Sequence, residues 1–107
     1  AEQYMPEILL ISAGYDGHEE ETISTTLLTT QWFHNAATML KQTARDLCND
    51  RLLLVLEGGY NPASLEKSVL ATIDSLLQPD VARVGVLYSE RADALIKNHP
   101  MNQFWTL

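Results

Sequence analysis

Leu52-Leu-Leu-Val-Leu-Glu-Gly-Gly-Tyr-Asn-Pro62 decides the fold. A short apolar run bounded by turn residues has the pattern of a strand covered on both faces. Gly58 and Gly59 end it, and glycine lets the backbone adopt unusual angles and approach a neighbour closely. Tyr60 stands at the tip. Asn61 is an N-cap, and Pro62 takes the first helical position, where its missing N–H costs nothing. In open parallel sheets a loop of this kind, at the carboxyl end of a strand, is where ligands bind.

Ile8-Leu-Leu-Ile-Ser-Ala-Gly-Tyr-Asp16 has the same grammar. A strand over Ile8 to Ser12 meets a turn at Ala13-Gly14, and Tyr15-Asp16-Gly17-His18 follows at the tip. The two tips, carrying Asp16 and Tyr60, read as two walls of one site. Between them, Glu19-Glu20-Glu21 reads as a solvated acidic loop. Thr22 to Thr30 is threonine-rich and poor in helix formers, so it reads as an extended loop.

Thr29 or Thr30 caps a helix from about Gln31 to Cys48. Its apolar positions are Phe33, Ala36, Ala37, Leu40, Ala44, Leu47 and Cys48, spaced by three and four, with Trp32 and Met39 beside them. Lys41, Gln42, Arg45 and Asp46 fall on the other face, where His34 is also expected to meet solvent. Asn49-Asp50 ends the helix. After the second strand, a helix from Pro62 to near Gln78 is expected to bury Leu65, Val69, Ile73, Leu76 and Leu77, and Pro79 stops it. The order β-α-β-α is the grammar of parallel strands joined by helical crossovers.

Beyond Pro79, Val81 to Tyr88 is apolar enough for a strand but broken by Gly85. Glu90 to Asn98 has a short helical pattern, and Phe104 and Trp105 mark a tail that packs back on the body. The division expected is therefore 1–78 for the β-α-β-α portion and 79–107 for an extension with a short helix. Two strands do not close a doubly wound sheet, which needs neighbours on both sides and helices on both faces. The chain reads as part of a larger domain, or as a unit that completes its sheet against a second copy.

The 107 residues carry a formal net charge of −7, with a pI near 4.7. That balance argues against a surface built for a phosphate backbone, so no nucleic-acid partner is expected. Cys48 is the single cysteine, which excludes a disulfide framework and a cysteine-based zinc cluster; it reads as a buried, inert thiol. No apolar run approaches the roughly 20 residues that span a bilayer, so no membrane partner is expected and the default location is cytoplasmic.

Read by themselves, Asp16 is a turn residue capping a strand end and Tyr60 a half-buried tyrosine at a helix start. Together the motifs say more. Ser12-Ala-Gly-Tyr-Asp-Gly-His18, then Leu28-Thr29-Thr30, then Leu54-Val-Leu-Glu-Gly-Gly-Tyr-Asn61 resemble the carboxyl-terminal part of the zinc-dependent histone deacetylase family. That family includes the microbial deacetylase-like amidohydrolases and acetylpolyamine amidohydrolases. The resemblance runs from about Pro6 to Leu77, and its wording is nearer the class II and microbial branch.

The resemblance implies a three-layer parallel-sheet fold of the arginase/deacetylase type, here only a partial β-α-β-α unit. It implies hydrolysis of acetyl-lysine or acetyl-polyamine amides, with zinc as cofactor and an acetylated lysine peptide or polyamine as partner. Asp16 matches a zinc-ligating aspartate, and a carboxylate is a normal ligand in a site that keeps one position open. Tyr60 matches the tyrosine that donates a hydrogen bond to the substrate carbonyl. Gly58 and Gly59 match glycines lining the acyl-lysine tunnel, and Ile23 stands where a rim leucine is usual. His18 reads as a surface loop residue or as a further ligand.

The departures are local. Glu20-Glu-Thr-Ile23 replaces the family's Gly-Asp-Pro-Leu, and Gly17 replaces an alanine. The family's separate Asp-x-His zinc pair and its tandem histidine have no counterpart among His18, His34 and His99. Asp16-Gly-His18 has those letters, but in register it aligns with the later aspartate ligand. The chain by itself is therefore expected to be inactive and to bind zinc poorly. The rival expectation is a non-catalytic binding or assembly module, homo-oligomeric through its exposed sheet edge.

Overall fold

A computed structural model describes residues 2–79 and Asn98. The readings of Val81–Tyr88, of the helical pattern from Glu90 and of the Phe104–Trp105 tail lie outside the described residues. Four elements follow in order: β1 (Leu9–Ala13), α1 (Thr30–Cys48), β2 (Leu52–Leu56) and α2 (Pro62–Leu77). β1 and β2 pair in parallel, with Leu9 opposite Leu52 and Ala13 opposite Leu56. Parallel neighbours need a crossover, which α1 supplies.

The helix ends form as their residues dictate. Thr29 caps α1 by accepting from the Trp32 N–H, and Asn49 closes it in a left-handed conformation at φ 50°. Asp50 follows at φ 63°, and asparagine and aspartate tolerate that region better than most residues. Asn61 caps α2 through the Ala63 and Ser64 N–H groups, with Pro62 in the first turn. Cys48 is buried, its Sγ 3.2 Å from the Pro6 carbonyl.

Both helices lie on the strand face that carries Ile11, Ala13 and Leu54. The opposite face differs from the expected two-sided cover. Leu10, Leu53 and Val55 are 66%, 51% and 53% exposed, with Leu10 opposite Leu53 and Ser12 opposite Val55. Side chains alternate along a strand, so one layer of helices covers every second residue and leaves the rest bare.

α1 buries Phe33, Ala37, Ala44 and Cys48, as its spacing predicts, and also Asn35 and Thr38, which lie outside that stripe. α2 does not follow its predicted stripe. Its buried residues are Ser64, Ser68, Thr72 and Ser75, whereas Ile73 and Leu77 are exposed and Leu65, Val69 and Leu76 are half-buried. The reason is the contact with α1. Small side chains let two helices approach closely, and at Ser75 the hydroxyl finds an acceptor across the contact. Thr38 donates to the His34 carbonyl at 3.0 Å, so Ser75 is the donor in the 2.6 Å bond between the Ser75 and Thr38 hydroxyls. The Lys41 ammonium reaches the Ser75 and Gln78 carbonyls at the end of α2. His34 is also turned toward α2 rather than to open solvent: its Nε2 lies 3.4 Å from an Asp74 carboxylate oxygen.

Candidate functional site

The site is built where the two parallel strands end. The ladder continues past them: Glu57 donates its N–H to the Ala13 carbonyl at 3.0 Å, and Tyr15 donates to the Gly58 carbonyl at 2.8 Å. These bonds hold the two strand-end loops side by side. Tyr15 itself is buried. Its ring lies 5.0 Å from that of Phe33, and its hydroxyl donates to Thr72 Oγ1 at 3.0 Å, which ties the tip of β1 to both helices.

Asp16 projects from this bonded corner, and its carboxylate lies flat against Gly58. A Cβ at position 58 would stand 2.7 Å from the Asp16 Cγ and 2.8 Å from each carboxylate oxygen. Only glycine leaves room for that approach. Gly59 has φ +136°, a conformation other residues rarely adopt, and a Cβ there would collide with Leu65 Cδ1 at 2.8 Å. The two glycines thus do different work: Gly58 makes room for a carboxylate, and Gly59 turns the chain.

Tyr60 follows that turn. Its side chain is 64% exposed, more open than the half-buried tyrosine expected from sequence. Ile23 is 65% exposed on the loop between β1 and α1. His18 is not the surface loop residue expected from sequence: it is almost fully buried at 2% exposure. The Glu20 backbone N–H donates to its Nδ1 at 3.1 Å, so that nitrogen carries the lone pair and Nε2 carries the proton. Nε2 then donates to Thr30 Oγ1 at 2.9 Å. Both ring nitrogens are engaged within the loop, which a bridge between His18 and Leu28 also ties together.

The acidic run is only partly the solvated loop expected: Glu19 and Glu20 are exposed, but Glu21 is not. Glu21 is buried, and one carboxylate oxygen accepts from the backbone N–H of Tyr60 at 2.7 Å and of Asn61 at 2.9 Å. The Asn61 side-chain amide donates to the Glu20 carbonyl at 2.9 Å. The Lys67 ammonium bonds both Glu20 carboxylate oxygens at 3.0 and 3.1 Å. That ammonium holds the Glu20 carboxyl below its ordinary range. Sequence reading missed Glu21 because three adjacent glutamates give no sign of which one turns inward. Its position, matching the aspartate of the family's Gly-Asp-Pro-Leu, was the one available signal.

Asp16 offers one carboxylate to a cation. Among the described residues, no group of three or more His, Cys, Asp or Glu converges as a metal site. No helix among the described residues is long and apolar enough to cross a membrane.

Comparison with known proteins identifies the family. Residues 1–76 match the model of the histone deacetylase domain. Histone deacetylase 14, chloroplastic, of Arabidopsis thaliana is 38% identical over 80 residues, covering 75% of this chain and 19% of the relative. Histone deacetylase 10, chloroplastic, of Oryza sativa subsp. japonica is 39% identical over 83 residues, covering 77% and 19%. The chain thus spans about a fifth of the length of these curated relatives. The solved structure of the histone deacetylase Clr3 superposes with a TM-score of 0.62 at 28% identity, over 91% of this chain and 16% of that one. The HDA15 HD domain gives 0.60 at 32% identity, over 74% and 22%. The neighbours carry the arginase/deacetylase fold expected from the motifs, and the β-α-β-α unit described above, with its parallel strand pair, is a part of it. The chain belongs to the histone deacetylase family.

Proposed function

We propose that this chain supplies one wall of the active site of a zinc-dependent deacylase that hydrolyses acetyl-lysine or acetyl-polyamine amides. One observation carries the reading: the Asp16 carboxylate is packed on Gly58 at the same end of the parallel strands as the strap that bears Tyr60. When bound, zinc supplies the positive charge that polarises a carbonyl and makes water a nucleophile at neutral pH. This chain would offer one ligand oxygen, from Asp16. The remaining ligands and the proton-moving histidines belong to parts of the deacetylase domain beyond this β-α-β-α unit.

The Tyr60 hydroxyl would donate to the amide carbonyl oxygen as that atom gains negative charge, an interaction stronger in the transition state than in the substrate. Gly58 and Gly59 let the strap lie close beside an extended acyl-lysine chain, and Ile23 offers an apolar surface at its mouth. Residues 79–107 would be an extension outside this catalytic unit. A cytoplasmic location is the default, although two relatives are named chloroplastic.

The test is Tyr60→Phe in the full-length polypeptide carrying this segment, assayed on an acetyl-lysine peptide. Hydrolysis should fall about 10²–10³-fold, as for loss of other single oxyanion donors. Unchanged hydrolysis would refute the reading. The chain alone should be inactive, and titration calorimetry with zinc should give weak binding at most; tight one-to-one binding would overturn that part. The bare face formed by Leu10, Leu53 and Val55 favours a second reading, a self-associating module without catalysis. Sedimentation separates the two, since a stable dimer of this chain supports the module.

A further inference from the structure

We propose that Glu21 is a positioning residue for Tyr60, setting the phenol where the substrate carbonyl will lie. The inference rests on the deacylase reading above and extends it to a residue that takes no part in the chemistry itself. The Tyr60 ring is largely exposed, so packing does little to fix it. The residues before it are Gly58 and Gly59, the most conformationally free of all, and Gly59 sits at φ +136°. Left to itself, a strap of this composition would sample many orientations.

Glu21 removes that freedom. Its carboxylate oxygen accepts from two consecutive N–H groups, those of Tyr60 and Asn61, at 2.7 and 2.9 Å. Hydrogen bonds to a charged acceptor are roughly twice as strong as neutral ones, and burial at 6% exposure shields them from competing water. The same joint is secured twice more. Asn61 donates its side-chain amide to the Glu20 carbonyl and caps α2 with its side-chain oxygen. The β1–α1 loop, the Tyr60 strap and the start of α2 are thereby one rigid corner, with Glu21 as its central acceptor. Geometry decides the benefit, because a displacement of about 1 Å at a reacting centre costs on the order of 10²-fold in rate.

Two measurements test this. In this chain, amide hydrogen exchange at Tyr60 and Asn61 should quicken at least ~10-fold in Glu21→Ala, while the amides of Leu52–Leu56 keep their protection. Unchanged exchange at both positions overturns the proposal. In the full-length polypeptide, Glu21→Ala should lower kcat by about 10–100-fold with KM within about 3-fold, and Glu21→Gln, whose amide oxygen still accepts, should restore part of the loss. The deciding comparison is the double variant. On a Tyr60→Phe background, Glu21→Ala should cost less than about 3-fold more, because a residue acting through the phenol has nothing left to position. Losses that multiply in full would mean Glu21 merely holds the fold, and would overturn the proposal while leaving Tyr60 its role. If Tyr60→Phe alone is silent, the deacylase reading fails and Glu21's role in it falls too. Glu21→Gln keeps the shape and an acceptor, so it serves as the folded control if Glu21→Ala does not fold.

Discussion

α1 and α2 lie side by side on one face of the same two strands, yet α1 buries a largely apolar face and α2 a wholly hydroxylated one. α1 turns inward Phe33, Ala37, Ala44 and Cys48 together with the polar Asn35 and Thr38; α2 turns inward only hydroxyl side chains, Ser64, Ser68, Thr72 and Ser75, and leaves Leu70, Ile73 and Leu77 toward solvent. The difference teaches that a helix buries the face its neighbour can accommodate. α1 meets the strands with its aromatic and aliphatic side, including Phe33 against Tyr15. α2 meets α1, and there thin side chains with internal acceptors fit where leucines would not. Thr72 bonds the Ser68 carbonyl at 2.9 Å and Ser64 the Asn61 carbonyl at 3.2 Å, so their polarity is satisfied without water.

The largest expected effect is on the α1 side. Phe33→Ala removes a buried ring that touches Tyr15, His18 and Trp32, and should destabilise the chain by about 3–5 kcal/mol in urea melts. On the α2 side the sign depends on size. Ser68→Leu, at a position with no exposed surface, should cost about 1–3 kcal/mol by overpacking. Ser68→Ala should instead stabilise by about 0.5 kcal/mol, since alanine is the better helix former and the Ser68 hydroxyl is buried without a partner among the described residues. If leucine at 68 were tolerated and alanine harmful, the contrast between the helices would be wrong. Tyr15→Phe deletes a single cross-link to α2, and should cost about 0.5–1.5 kcal/mol, since the Thr72 hydroxyl keeps its bond to the Ser68 carbonyl.

The smallest effect belongs to the exposed Glu20–Lys67 pair, each side chain about half exposed. Lys67 lowers the folded-state pKa of Glu20 from its ordinary 4.5. The contribution is therefore present above that value and fades as pH falls through the lowered one. Lys67→Met should lower the midpoint slightly at neutral pH and leave it unchanged below the lowered pKa, which flattens the acid side of the melting profile.

Much of this was legible in the residues. Both strands, both helices and the caps at Thr29 and Asn61-Pro62 follow from local chemistry: apolar runs, periodicity of three and four, side-chain oxygens at helix starts. α1's face was readable because only one stripe competes there. α2 carries two stripes at the same spacing, Leu65-Val69-Ile73-Leu76 and Ser64-Ser68-Thr72-Ser75, turned about 100° from each other, and only the packing partner chooses between them. At the strand ends, Gly58 announced a close approach without naming Asp16 as the group approaching. Glu21 was hidden because its partners lie 39 and 40 residues away. Its letters matched those of Glu19 and Glu20, and a pairing across that distance leaves no periodic trace.

The bare strand flank has a practical consequence. Leu10, Leu53 and Val55 form a greasy strip on a regular β surface, the kind that recruits other copies or a holding chaperone. Whoever produces this polypeptide by itself should find its solubility set by that strip rather than by its seven excess negative charges. Lysine at Leu53 should then improve yield more than any further acidic residue placed on the helices.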